Sequence, residues 1–179
     1  MRRFTKFMHT IGAIGFMGAI ACLLVLLSFT PAPASLSEYA LMRAAMGGIA
    51  TWIFLPSIGL TLVAGLVAMS INRGYQSAGW AWAKLASGIL VFEWGFAAIQ
   101  GPMQQEAELS ARALAHEVDQ TTLAASLGAE WNSLWVMLAV ATANVILGVW
   151  RPRLTRLPDL DKRQGPLVHS SLETLPKGD

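Results

Sequence analysis

The sequence predicts an all-α integral membrane protein built as a four-helix bundle. Of its 179 residues, 54% are hydrophobic and only 13% are charged, which is too apolar for an ordinary soluble domain. Four apolar runs are long enough to cross the roughly 30 Å hydrocarbon core of a bilayer as helices. Connections are short after the first and second runs, which favours antiparallel neighbours. The predicted helices, which together form one domain over 1–150, cover 7–29, 44–71, 79–100 and 131–150.

The first run contains no charged side chain between Phe7 and Phe29. Its roughly 23 residues, at about 1.5 Å each, exceed the hydrocarbon core, so the helix can span with some tilt. The segment Ala32-Pro33-Ala34 resembles a signal-peptide cleavage site. The apolar region of a signal peptide is typically only about 7 to 15 residues, however. We therefore expect a retained helix rather than a cleaved leader.

Proline and glycine set the predicted helix ends. Pro31 and Pro33 end the first helix, because proline cannot continue one. The second run carries Pro56 near its middle, which predicts a tilted or kinked helix. The third run is expected to end at Gly101-Pro102.

The two remaining segments are polar. Residues 101–130 contain good helix formers and a helix-stop signal at Gly128, which predicts an external helical loop between the third and fourth helices. The tail, 151–179, is charged and interrupted by prolines, which predicts disorder.

The distribution of lysine and arginine predicts the orientation. By the positive-inside rule, the side with more of these residues is cytoplasmic. The sequence therefore predicts that both termini and the tail are cytoplasmic. Arg43 and Arg112 fall on the external side, and the cytoplasmic side has Arg2, Arg3, Lys6, Arg73, Arg151, Arg153, Arg156, Lys162, Arg163 and Lys177.

Small residues recur along the first helix at Gly12, Gly15 and Gly18. Spacing of three residues keeps them on one broad strip, where another backbone or a flat ligand can approach closely. Helix packing is the favoured interpretation, and a ligand groove is the alternative. The lone Cys22 excludes an intramolecular disulfide and is expected to pack as a small hydrophobe.

His9 and Lys84 are the candidate cofactor-binding residues. His9 lies three residues beyond Lys6 and Lys84 lies four residues beyond Trp80, so both are expected just below the same membrane interface on parallel helices. If their faces converge, an imidazole and an amine can approach opposite sides of one planar cofactor. The alternative is a lysine that reaches the interface and a histidine with no ligand.

Glu93 is a carboxylate within the third run. It follows Lys84 by nine residues, about half a turn out of phase, so the two side chains are expected to face opposite ways. An intramembrane carboxylate suggests a proton relay or a ligand for a cationic group. The alternatives are a protonated group or a bond to Arg43.

Other functional classes receive little support from the sequence. His116 and His169 lie in water-exposed segments, and neither belongs to a metal-binding spacing. No nucleophile-histidine-acid arrangement and no glycine-rich phosphate loop can be assembled. The net charge of +2 is explained by orientation in the bilayer, so nothing indicates nucleic-acid binding.

The runs Lys6-Phe7-Met8-His9-Thr10-Ile11-Gly12 and Trp80-Ala81-Trp82-Ala83-Lys84-Leu85 resemble a group of small bacterial four-helix membrane proteins. That group includes the haem-binding protoporphyrinogen oxidases of the HemJ type and a related family of unknown function. The resemblance covers at best the first three helices. In the oxidase family, a histidine and a lysine at these places are associated with haem. The resemblance therefore implies haem b, with His9 as its metal ligand and Lys84 beside it.

This sequence also departs from the oxidase family. That family carries an arginine and a tyrosine-histidine pair after the first helix, where this chain has Leu26-Leu27-Ser28-Phe29-Thr30, and 103–130 is additional. Two functions follow as hypotheses. One is a haem-b redox protein that passes electrons toward a quinone or another membrane redox protein. The other is a non-enzymatic accessory subunit or small transport component, whose glycine strips dock partner helices, including those of a homo-oligomer.

Overall fold

The computed structural model describes residues 2–71, 79–124 and 127–150, and within these ranges every regular element is a helix. A π-helical segment at Ala50–Phe54 (π1) joins α2 to α3, and a second at Phe96–Gln100 (π2) joins α4 to α5. Residues 72–78 and 125–126 and the tail 151–179, for which the sequence predicts disorder, lie outside the described residues. The α-helices are α1 (Arg2–Ser28), α2 (Leu36–Ile49), α3 (Leu55–Ile71), α4 (Gly79–Gly95), α5 (Gly101–Leu114) and α6 (Leu127–Trp150).

Four continuous helices in the described part of the chain are long and apolar enough to cross a membrane. This confirms the predicted all-α class and the four membrane-competent helices, and it supports a multi-pass membrane protein. The four are Arg3–Ser28, Leu36–Ile71, Gly79–Leu114 and Gln120–Trp150.

Two predicted helix boundaries are wrong. The second helix begins at Leu36 rather than at residue 44, and the third continues through Gly101 and Pro102 to Leu114. Each internal proline follows a π-helical segment by two residues, Pro56 after π1 and Pro102 after π2. A π turn contains one more residue than an α turn. Backbone carbonyls that would have accepted from the missing proline N–H can therefore bond a different backbone N–H. The helix therefore passes through both prolines.

The two longest helices extend beyond any bilayer core. Each has 36 residues, about 54 Å at 1.5 Å per residue, against a core of about 30 Å. The excess corresponds to α2 and α5, which pack side by side at one end of the molecule. We call α2, α5 and residues 115–124 the helical cap. The segment predicted as an external loop thus begins with a helix that is part of this cap.

The four long helices form a square. The first, α1, packs against α3 and α6, and α4 packs against the same two helices, so α1 and α4 lie at opposite corners. The large buried side chains lie in the half of the bundle nearer the cap. They include Phe16, Ile20, Leu23, Phe54, Leu134 and Met137. We call the other half, which carries the first and last described residues, the terminal half; it comprises 3–15, 61–71, 79–90 and 142–150.

The glycine strip on α1 is a packing surface at two of its three positions. A Cβ added to Gly12 would lie 2.5 Å from Thr61 Oγ1 and 2.9 Å from the Ser57 carbonyl oxygen of α3. One added to Gly15 would lie 2.5 Å from Ser57 Oγ, whereas one added to Gly18 meets nothing within 4 Å. The favoured interpretation, helix packing, therefore holds for Gly12 and Gly15.

The variant Gly12→Ala is expected to lower the stability of the protein by about 1–3 kcal/mol, because its methyl group forces α1 away from the α3 backbone. Gly18→Ala is the matched control, since alanine is the better helix former and meets no neighbour there. Thermal unfolding in detergent compares the two variants. Equal midpoints for both would show that α1 and α3 do not pack through Gly12.

Candidate functional site

The terminal half has few fully buried side chains and contains several half-buried polar ones. Among its described residues, the only hydrophobic side chains that are buried are those of Ala64 and Ala81. The half-buried polar and charged side chains between the helices come from all four corners of the square. They are His9 on α1, Thr61 on α3, Lys84 and Ser87 on α4, and Asn144 on α6. This set, which we call the polar interior, is the candidate site.

The His9 ring is fixed in one orientation by α3. Its Nδ1 lies 2.9 Å from the Thr61 carbonyl oxygen, and since a carbonyl only accepts, Nδ1 donates. The ring also lies beside Gly65, where a Cβ would be at an ordinary contact distance of 3.8 Å from Nδ1 and Cε1. In the neutral imidazole, this bond assigns the hydrogen to Nδ1 and the lone pair to Nε2. Nε2 is therefore the atom that can bind a metal.

Lys84 faces the opposite neighbour, α6. Its Nζ lies 2.9 Å from the position that a Cβ on Gly148 would take, so the glycine makes room for the amine. One turn along α4, the Ser87 hydroxyl donates to Asn144 Oδ1 at 2.8 Å, and Asn144 Nδ2 donates to the Val140 carbonyl oxygen at 3.1 Å. These contacts join α4 to α6 beside the amine.

His9 and Lys84 thus occupy one half of the bundle but contact different helices. His9 lies beside Thr61, and Gly88, four residues beyond Lys84, lies beside Leu62 of the same helix. The His9 ring also lies beside Gly65, one turn further along α3. No hydrogen bond or ion pair joins the two side chains across the square in the part of the chain that the structure describes.

Glu93 is not part of the polar interior. Its side chain is exposed on the outer face of α4, whereas Lys84 is half-buried, as the nine-residue spacing predicts. The alternative in which Arg43 bonds Glu93 is wrong, because Arg43 Nη1 bonds Glu130 Oε2 at 2.6 Å inside the cap. Within 2–71, 79–124 and 127–150, Glu93 has no hydrogen-bond or ion-pair partner.

The cap contains a buried polar network that the sequence analysis missed. Arg43 Nε donates to the Tyr39 hydroxyl at 3.1 Å, and this hydroxyl donates to Glu106 Oε1 at 2.5 Å. The same Glu106 oxygen accepts from the Ala124 backbone N–H at 2.7 Å. The four-residue spacing of Tyr39 and Arg43 would have indicated this network if the second helix had been started at Leu36.

The described residues contain no group of three or more histidine, cysteine or acidic side chains that could hold a bare metal ion. A haem brings four nitrogen ligands with its iron and needs only one or two axial ligands from the protein. His9 alone meets that requirement, so the donor set fits a haem. Comparison of the chain with models of protein families, with curated proteins and with solved structures finds no match.

Proposed function

We propose that this protein is a multi-pass bacterial inner-membrane protein that binds haem b in its terminal half and transfers electrons. The observation that carries the proposal is the hydrogen bond from His9 Nδ1 to the Thr61 carbonyl oxygen. Histidines that bind metals nearly always donate their other ring N–H to a carbonyl or carboxylate, which fixes the tautomer and the ring orientation. His9 has that arrangement, and the resemblance of its surroundings to haem-binding oxidases agrees with it.

In this proposal, His9 Nε2 would bind the iron, and the hydrogen bond from Nδ1 to the Thr61 carbonyl oxygen would hold the imidazole in the orientation needed. Lys84 has two possible roles, as a neutral second ligand or as a charged partner of a haem propionate near the interface. Haem b supplies reversible one-electron transfer. Electrons from a hydrophobic substrate would pass to a quinone or another membrane redox protein, since both acceptors are available within the bilayer.

The visible spectrum of the detergent-purified protein tests this proposal directly. Protein from haem-replete cells is expected to show a Soret band, with sharper visible bands after reduction. Protein that lacks Soret absorption when haem is abundant would contradict the proposal. It would leave a non-enzymatic accessory subunit or small transport component as the leading function.

We also propose that both termini are cytoplasmic, so that the helical cap is external. Reporter fusions after Arg73 and Arg156 are expected to behave as cytoplasmic, because ten of the twelve loop and tail lysines and arginines lie on that side. A fusion near Leu109, in the cap, is expected to behave as external. A cytoplasmic signal from Leu109 would show that this topology is wrong.

A further inference from the structure

Glu93 is exposed at a depth where the bilayer offers no partner. It lies thirteen residues beyond Trp80, about 20 Å along the helix, and therefore inside a hydrocarbon core of about 30 Å. A carboxyl group exposed to lipid there is strongly disfavoured. No described residue of the same chain bonds it, so the carboxyl group is free to bond a second transmembrane helix.

The surface around Glu93 has the spacing of a helix–helix contact. Exposed residues follow one another at intervals of three and four along α4 and π2, which keeps them on one narrow strip. Three of them are alanines, so a second backbone can approach closely with the carboxyl group at the centre. We call this strip the Glu93 seam; it consists of Ala83, Ala86, Leu90, Glu93 and Ala97.

We propose that the Glu93 seam is the contact between two copies of this chain, with Glu93 of each copy hydrogen-bonded to Glu93 of the other. Two copies inserted in the same orientation are related by a two-fold axis along the membrane normal. Residues on that axis therefore meet their own counterparts at equal depth. Two carboxyl groups that share one proton are self-complementary, because the protonated group donates and the other accepts. This pairing satisfies Glu93 without a basic residue, and it does not depend on haem.

Cysteine cross-linking in membranes tests which helix face meets the second copy. Cys22 is exposed and is first replaced by alanine. In that background, Leu90→Cys is expected to form a disulfide-linked dimer under mild oxidation. The control is Ile14→Cys, which is 64% exposed on α1, the helix at the opposite corner of the square. It is expected to form several-fold less dimer.

Substitution of Glu93 tests the bond itself. In detergent, Glu93→Leu is expected to weaken self-association about ten-fold, because an interhelical hydrogen bond in a membrane contributes about 1–2 kcal/mol. Glu93→Gln is expected to retain most of the association, since an amide both donates and accepts. Sedimentation or light scattering measures the dimer fraction without using the haem spectrum. A result against the dimer is therefore distinguishable from a result against haem binding.

Three results would overturn the dimer. One is equal cross-linking of Leu90→Cys and Ile14→Cys, and another is unchanged association of Glu93→Leu. The third is a stoichiometric cross-link from position 90 to a different protein, which would identify Glu93 as a docking residue for an unlike subunit.

Discussion

The His9→Ala protein, purified from haem-replete cells, is expected to lack the Soret band of the parent almost completely. His9 supplies the only histidine nitrogen within the described spanning helices. Alanine removes the metal-binding Nε2, and the bond from Nδ1 to the Thr61 carbonyl is lost with it. Because His9 is only half-buried, the fold itself is expected to survive.

His116→Ala is the matched control for this experiment. His116 is exposed in the helical cap, at the opposite end of the molecule from His9. Its removal is expected to leave the Soret band unchanged. Equal loss of absorption in both variants would indicate general destabilisation, and an unchanged spectrum in His9→Ala would exclude His9 as the axial ligand.

Lys84→Met separates the two roles of the lysine. If Lys84 binds the iron, the variant is expected to retain haem with a shifted spectrum, because one axial ligand changes while His9 remains. If Lys84 pairs with a propionate, the spectrum is expected to stay the same while haem is lost faster on dilution. The same band position and the same rate of haem loss as in the parent would exclude both roles.

The sequence was sufficient to predict the fold class because membrane helices are specified by long apolar runs and by little else. The sequence-based prediction was wrong at Gly101-Pro102, where proline was expected to end the third helix. The π-helical turn at Phe96–Gln100 allows the helix to continue past Pro102, although proline has no N–H to donate. The preference of a single residue type does not predict such a turn. Because the third helix was predicted to end there, its continuation as α5 was not predicted, and neither was the cap.

The candidate site was predictable only in part. Depth follows from residue spacing, so His9 and Lys84 were expected near one membrane interface on parallel helices, and both lie in the terminal half. Which neighbour each side chain contacts depends on how the helices are arranged in the square, and spacing within one helix does not determine that. The Thr61 carbonyl could not have been chosen from the sequence, because every residue offers a backbone carbonyl.

The network in the cap leads to the largest expected effect on stability. Arg43 and Glu130 are buried, with side-chain exposures of 0% and 1%, and they are joined at 2.6 Å. Glu130→Ala leaves the Arg43 guanidinium buried without its carboxylate, and Nη2 already has no hydrogen-bond partner. Removing one partner of a buried ion pair typically costs about 3–5 kcal/mol. We expect a loss of that size in the free energy of unfolding, measured by denaturation from detergent into dodecyl sulfate.

The exposed pair Arg112–Glu117 provides the control within the same cap. Its side chains are 56% and 58% exposed, so Glu117→Ala is expected to cost less than about 1 kcal/mol. The double variant Arg43→Met/Glu130→Leu is expected to recover much of the loss from Glu130→Ala, because no buried charge remains. Similar losses for Glu130→Ala and Glu117→Ala would show that the cap is hydrated around Arg43. Because the cap lies far from His9, Glu130→Ala is expected to keep its Soret band below its unfolding temperature, whereas His9→Ala loses the band and keeps its stability.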